Sequence, residues 1–237
     1  MITRAKAIIL IDTFRQKPKI RNVLYMKIAV LGAHGQIAML LHPILKSNGH
    51  DVIGLIRNPD HSDEVERAGA RPAICDLEAQ DDISDAVGKV DAVIFAAGAG
   101  PGSGAVRKWS VDRDGAIKLI DAAKKNGISR YVMISAMKVE EPRGNEVFQV
   151  YQKAKSEADK ALRESGLNWT IIRPGRLADN LPTGRITLGS DLESGEIPRA
   201  DVAAVVAEVL EIPESAGHQW DLISGDTLIE AAIRQAL

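Results

Sequence analysis

Residues Lys27-Ile28-Ala29-Val30-Leu31-Gly32-Ala33-His34-Gly35-Gln36-Ile37-Ala38 constrain the fold of this chain more than any other stretch. A short apolar run breaks into a Gly-x-x-Gly-x-x-Ala turn, and a helical pattern begins straight after it. That order predicts a buried parallel strand feeding a helix whose N-terminus faces a dinucleotide phosphate. Gly32 permits the tight turn, Gly35 lets the backbone approach a pyrophosphate, and the small Ala38 lets helix and strand pack closely. The free N–H groups and positive dipole end of the first helical turn then meet the phosphate charge. Glycines also mark ordinary strand–helix turns, so the motif needs support from elsewhere in the chain.

The support begins with the order of elements. From Met26 onward, strand patterns at 27–31, 51–56, 71–74, 91–96, 129–135, 169–173 and 218–223 alternate with helical patterns at 36–48, 61–69, 79–87, 106–126, 146–165, 199–211 and 227–236. Asn48-Gly49, Gly69, Gly88, Asn126-Gly127 and Gly166 fall where those helices must stop. Runs such as Ala92-Val93-Ile94-Phe95 and Val132-Met133-Ile134 are apolar at successive positions, so both faces of each strand must be covered. The expectation is an α/β single domain over 26–237, a doubly wound parallel sheet of the Rossmann type, with small substrate-side segments near its C-terminus. Residues 1–25 differ, with six basic residues around one short apolar patch, Ala7 to Ile11, and are expected to be an extension without a role in the fold.

Composition removes several function classes. Thirty basic against 32 acidic residues leave a formal charge of −2 and no electrostatic footprint for nucleic acid. No apolar run approaches the roughly 18–20 residues needed to cross a membrane, so no membrane partner is expected. A single cysteine, Cys75, excludes internal disulfides and suits a reducing cytosol, which makes a cytoplasmic protein the expectation. His34, His42, His50, His61 and His218 lack the i,i+4 pairing of helical metal sites, so no metal is expected. What remains is a small-molecule site on a monomer or homodimer.

Ligands of open parallel sheets bind beyond the carboxyl ends of the strands. This chain places there the glycine turn, Arg57-Asn58, Cys75-Asp76-Leu77, Ala96-Ala97-Gly98, Ser135-Ala136 and Arg173-Pro174-Gly175. Small residues dominate four of those six ends, as a flat cofactor lying across the sheet edge requires. An NAD site usually places an acid about 20 residues beyond the glycine turn, on the ribose 2′-hydroxyl. Arg57 stands there instead, and its guanidinium can fork onto a 2′-phosphate, which favours NADP(H) over NAD(H). A solvated surface arginine is the plainer account. His34, inside the turn, can approach phosphate or sit as a bystander in a tolerant position.

The helix predicted over 146–165 carries an anomaly. Val147, Tyr151, Ala154, Ala158, Ala161 and Leu162 trace an apolar stripe, and Lys155 lies within it, four residues after Tyr151. Either its stem snorkels and its ammonium reaches water, or its charge sits beside the phenol and lowers the Tyr151 pKa from about 10 toward working pH.

With these residues in place, the chain resembles the short-chain dehydrogenase/reductases, specifically their small atypical NAD(P)H-binding group. It is similar to bacterial sugar-epimerase-like reductases and more distantly to biliverdin reductase B-like and NmrA-like proteins. The resemblance spans 26–237 and rests on Gly32-Ala33-His34-Gly35-Gln36-Ile37, Arg57, Asp76-Leu77, Ala96-Ala97-Gly98, Ser135-Ala136, Tyr151-Gln152-Lys153-Ala154-Lys155, Ile171-Ile172-Arg173-Pro174-Gly175 and Ile197-Pro198-Arg199-Ala200-Asp201-Val202-Ala203. It implies Tyr151 as general acid/base, Lys155 as its partner and a ribose ligand, and Ser135 as hydrogen-bond donor to a substrate oxygen. It implies Gly32, His34, Gly35, Gln36, Ile37, Arg57, Ala96, Ala97 and Gly98 around the cofactor, Asp76 and Leu77 beside its adenine, and Pro174 and Gly175 beside its nicotinamide. Many members carry an asparagine in the helix after the fourth strand; Asp112 stands in the matching segment here and puts that proton relay in doubt.

The implied function is an NADP(H)-dependent oxidoreductase passing hydride to a carbonyl, quinone or flavin-like acceptor. The alternative is a non-catalytic NAD(P)H-binding sensor or assembly factor of the NmrA-like kind. An epimerase fits less well, because only about 60 residues follow the sixth strand, too few for a sugar-binding subdomain. Trp109, Met137 and Phe148 are candidates for the apolar wall of a substrate pocket, with core packing as the alternative for each. Asp201 is expected to complement a helix dipole. It and Arg199 stay outside the expected site.

Overall fold

In the computed structural model, residues 25–100 and 102–237 are described. The extension expected over 1–25 lies, apart from Tyr25, outside them. β1 (Lys27–Leu31) leads through the glycine turn into α1 (Gln36–Ser47), then β2 (Asp51–Ile56), α2 (Ser62–Ala68), β3 (Arg71–Ile74), a single turn α3 (Ser84–Val87) and β4 (Ala92–Phe95). A short helical turn at Ala105–Arg107 and a π-helical stretch at Lys108–Arg113 open into α4 (Asp114–Asn126). β5 (Arg130–Ile134), α5 (Glu146–Arg163), β6 (Asn168–Pro174), β7 (Arg176–Ala178), β8 (Arg185–Gly189), β9 (Glu196–Pro198), α6 (Arg199–Leu210), β10 (His218–Ser224), β11 (Thr227–Leu228) and α7 (Ile229–Gln235) complete it.

Nine strands form one sheet in the order β11-β8-β10-β6-β5-β4-β1-β2-β3, and β7 pairs with β9 beside it. Successive residues of the central strands go to opposite faces. Ile28, Val30, Val132 and Ile134 join α1, α6 and α7 in one core, while Ala29, Leu31, Tyr131 and Met133 join α4 and α5 in the other. Each fully buried Leu, Ile, Val or Phe contributes roughly 1.5–3 kcal/mol, which is why unbroken apolar strands select the doubly wound arrangement. The chain order reverses between β1 and β4, whose pairing sets Leu31 level with Phe95, so the crevice of an open α/β sheet falls directly above the glycine turn.

The structure departs from the sequence expectations in three places. The helix expected over 79–87 shrinks to Ser84–Val87, because Asp76, Gln80 and Asp82 side chains bond nearby backbone N–H groups and hold the segment in turns. The helix expected over 106–126 is interrupted by the π stretch. The sheet is not wholly parallel: β8 runs antiparallel to β10 and β11 antiparallel to β8. With only Ile186 fully buried, β8 carries too weak an apolar pattern to read as a strand.

Candidate functional site

The glycine turn is built from two glycines with different reasons. Gly32 has φ +82°, and a Cβ there would come within 2.6 Å of the Ala97 backbone, so both the turn and the approach of β4 exclude a side chain. Gly35 has φ −67° and ψ 151°, ordinary extended backbone, and is exposed. A Cβ there would press on the Gly32 carbonyl at 3.0 Å, and a larger side chain would grow out over the mouth of α1. At that mouth no side chain caps the helix and no acid occupies its first turn, so the N–H groups around Gln36 and Ile37 are left for a ligand. Behind the turn, His42 is buried and its Nε2–H donates to the Ala33 carbonyl at 2.8 Å; burial lowers its pKa and keeps the imidazole neutral. This cradle of open N–H groups fits a pyrophosphate.

Two hollows meet over the cradle, and Gly35, Ala96 and Gly98 line both, so they are ends of one groove. The smaller, about 250 Å³, lies beyond β1, β2 and β3 and holds His34, Arg57, Asp76, Leu77, Ala97 and Glu78. Arg57 Nη1 is 2.9 Å from Glu78, which also takes Arg107 at 3.0 Å and the Ser110 hydroxyl at 3.0 Å. Burial works against the Glu78 carboxylate, and the bonds from Arg107 and Ser110 outweigh it, leaving its pKa below the usual value. His34 stacks on His61 with centroids 3.6 Å apart, and its Nε2 lies 3.0 Å from Glu64. Asp76 accepts the Glu78 N–H at 2.9 Å and so shapes the rim. Cys75 lines the same end, its thiol pushed up to about 11 by burial.

The larger hollow, about 760 Å³, is walled by Ile37, the glycine-rich segment after β4, the π stretch, the start of α5, Leu177 and Arg199. Tyr151 lines it. Lys155, one turn deeper, is 4% exposed, which excludes the snorkelling account. Its Nζ lies 3.3 Å from Asp112 Oδ1 and donates to the Ile134 carbonyl at 3.3 Å. Burial works against this ammonium, but Asp112, Tyr151 and Asp159 outweigh burial and raise its pKa. The expected lowering of Tyr151 does not occur: burial raises its pKa, and Lys155 only partly offsets that, because Asp112 absorbs much of the lysine's field. The phenol therefore stays protonated at neutral pH.

Other expected residues divide. Ser135 is buried at the end of β5, its Oγ short of full hydrogen-bond geometry to any group and facing Asp159 rather than the wall of the larger hollow. Asp159 in turn lies 2.7 Å from Arg173. Pro174 and Gly175 line neither hollow; Gly175 is explained by packing, since a Cβ would meet the Gly195 carbonyl at 2.3 Å. Phe148 lines the larger hollow, while Met137 does not and Trp109 instead carries Arg113 over its ring at 4.5 Å. Asp201 does not serve its helix dipole alone: buried, it accepts from the Thr183 and Gly184 N–H groups and ties down that loop.

Lys108, Asp112 and Arg199 are wall residues that sequence reasoning left out. Lys108 and Asp112 stand four apart within a predicted helix, a signal that was available. Their inward direction depended on the π register, which no periodicity of 3.6 reveals.

An NAD(P)H-binding family model matches residues 32–213, from the glycine turn to the segment after α6. The chain belongs to this family. Within it, the Bacillus subtilis (strain 168) protein named uncharacterized sugar epimerase YhfK is 38% identical over 213 residues, covering 89% of this chain and 100% of the relative. A putative NAD-dependent epimerase/dehydratase from Bacillus halodurans superposes with a TM-score of 0.84 at 36% identity, covering 89% of this chain and 99% of that one. ChuY from Escherichia coli O157:H7, described as an anaerobillin reductase, superposes with a TM-score of 0.71 at 25% identity over 84% of this chain and 98% of that one. These findings agree with the atypical short-chain dehydrogenase/reductase group. No helix of the described residues is long and apolar enough to cross a membrane.

Proposed function

We propose that the protein is an NADP(H)-dependent oxidoreductase that reduces a carbonyl, quinone or flavin-like acceptor. The observation that carries this reading is the single groove: the glycine cradle opens directly into a hollow with a protonated, half-buried Tyr151 in its wall. The cofactor, bound over the cradle, would supply the hydride. The first-turn N–H groups at Gln36 and Ile37 would hold the pyrophosphate, with Ala96, Ala97 and Gly98 small enough to let the groove pass. Arg57 would leave Glu78 for a 2′-phosphate, since an exposed ion pair is worth only about 0–1 kcal/mol. His34, Asp76 and Leu77 would border the adenosine.

Tyr151, protonated at neutral pH, would donate the proton to the acceptor oxygen, and Lys155, anchored by Asp112, would orient the phenol and neighbouring ribose. Asp112 takes the place of the asparagine of many relatives and holds Lys155 by charge. The likeness to a reductase, ChuY, supports this direction of chemistry. Ser135, turned from the hollow, supports the sensor reading instead, because the serine expected to donate to the acceptor oxygen is not in the wall. Loss of nicotinamide absorbance on screening carbonyl, quinone and flavin acceptors with NADPH and NADH tests the proposal. Tight cofactor binding with no acceptor consumed would favour the sensor.

A further inference from the structure

Lys108 is buried in the wall of the larger hollow and Lys155 behind it, and only Lys155 has a carboxylate of the described residues within ion-pair distance. Asp112 is shared unequally: its Oδ1 lies 3.3 Å from Lys155 and its Oδ2 accepts the Ala99 N–H at 3.2 Å, while its charge reaches Lys108 only from beyond ion-pair distance. Lys108, 9% exposed, has only the Gly100 carbonyl as a hydrogen-bond acceptor, at 2.9 Å, and no carboxylate within 4.0 Å among the described residues. Its Nζ lies 5.3 Å from the centre of the Tyr151 ring. The π-helical turn makes this placement by widening the helix at its start, so that Lys108 and Asp112 both face inward. An ammonium withdrawn from water against a neutral carbonyl is unfavourable, and burial depresses its pKa, which the more distant Asp112 only partly offsets. A ligand anion in the hollow would remove that penalty.

The rest of the wall says what such an anion is attached to. Ile37, Val147, Phe148 and Leu177 are apolar, the polar groups of the wall other than Lys108, Asp112 and Arg199 are uncharged, and Arg199 is already paired with Asp179 at 2.6 Å. We infer that the hollow takes an apolar, ring-sized acceptor bearing one anionic substituent, a carboxylate or its like, and that Lys108 is the residue that selects it. On binding, the anion replaces the Gly100 carbonyl at Nζ. The inference rests on the hollow being the acceptor side of the groove.

The test uses the full chain with and without saturating NADPH, and two fluorescent probes with one aromatic body: anilinonaphthalene sulfonate and neutral phenylnaphthylamine. Wild type binds the sulfonate more tightly than the neutral probe. Lys108→Met, which keeps the length of the stem and leaves no charge to bury, weakens the sulfonate about tenfold or more and the neutral probe less than about twofold. Lys108→Arg restores the sulfonate preference. Equal loss of both probes, or no loss of either, overturns the inference. A fall in NADPH affinity in Lys108→Met also overturns it, placing the lysine at the pyrophosphate. Failure of wild type to bind NADPH or to reduce any acceptor counts against the oxidoreductase reading, while the probe comparison still decides the anion site.

Discussion

At the β2–β3 end of the groove Arg57 meets Glu78 with side chains 55% and 30% exposed, whereas at the β5 end Lys155 meets Asp112 with side chains 5% and 1% exposed. The first pair sits in water, shares its acid with Arg107 and Ser110, and can exchange partners at little cost. The second is enclosed by the sheet and α5, and removing either member strands a charge in the interior. The contrast fits the two roles proposed for these residues. A group that reads a substituent on an arriving ligand must be free to let go of its resting partner. A group that holds a phenol in place must not be.

The experiment with the largest expected effect removes what both ends share. Gly35→Val keeps an extended backbone that valine adopts readily, so the fold survives while the side chain covers the mouth of α1. Cofactor binding by titration should be lost, and normal binding would mean that the glycine turn is only a turn. Tyr151→Phe acts on the enclosed end alone. Turnover of a confirmed acceptor should fall by roughly 10²–10⁴ with cofactor affinity unchanged, as expected from losing a general acid. Unchanged turnover would leave the phenol without a role in proton transfer.

Lys155→Met sharpens the comparison from the side of stability. Leaving Asp112 unpaired should cost about 3–5 kcal/mol in urea unfolding, and the double variant Lys155→Met, Asp112→Leu should recover most of it. If the single variant unfolds like wild type, the buried pair is not what holds this end. Arg57→Ala, on the exposed end, should leave stability unchanged and weaken NADP(H) by about 1.5–3 kcal/mol while sparing NAD(H). Equal effects on both cofactors, or none, would reduce Arg57 to a surface residue. Glu78→Gln should have the smallest effect, strengthening NADP(H) by less than about 1 kcal/mol by freeing Arg57 in advance.

The strand–turn–helix start, the alternation of elements and the apolar strands were legible because each depends on neighbours within about ten residues. The bounds of the six strands from 27 to 174 and of the helices at 36–47, 146–163 and 199–210 agree closely with the structure, whereas the segments at 79–87 and 106–126 and the strands at 176–198 do not. Tyr151 and Lys155 were legible as well, since helical spacing alone puts them on one face. What local spacing could not supply was the environment each would meet. Whether Lys155 reached water and which way the Tyr151 pKa moved turned largely on Asp112 before α4 and the carbonyl at the end of β5, and whether Ser135 faced the hollow turned on Asp159 of α5, each distant in the chain from the group it acts on.

Sequence alone thus determined the parallel core of the sheet and the glycine turn at its crevice, because hydrophobic period, turn chemistry and the alternation of elements act locally and permit few arrangements. Tertiary structure decided which charges are buried and with whom. Lys108 shows the difference most plainly: in the sequence it is one cation of thirty, and only the π-helical turn, the Gly100 carbonyl and the walls of the hollow make it a buried ammonium with no carboxylate of the described residues at ion-pair distance. Desolvation depends on everything that packs around a group, and no local pattern encodes that.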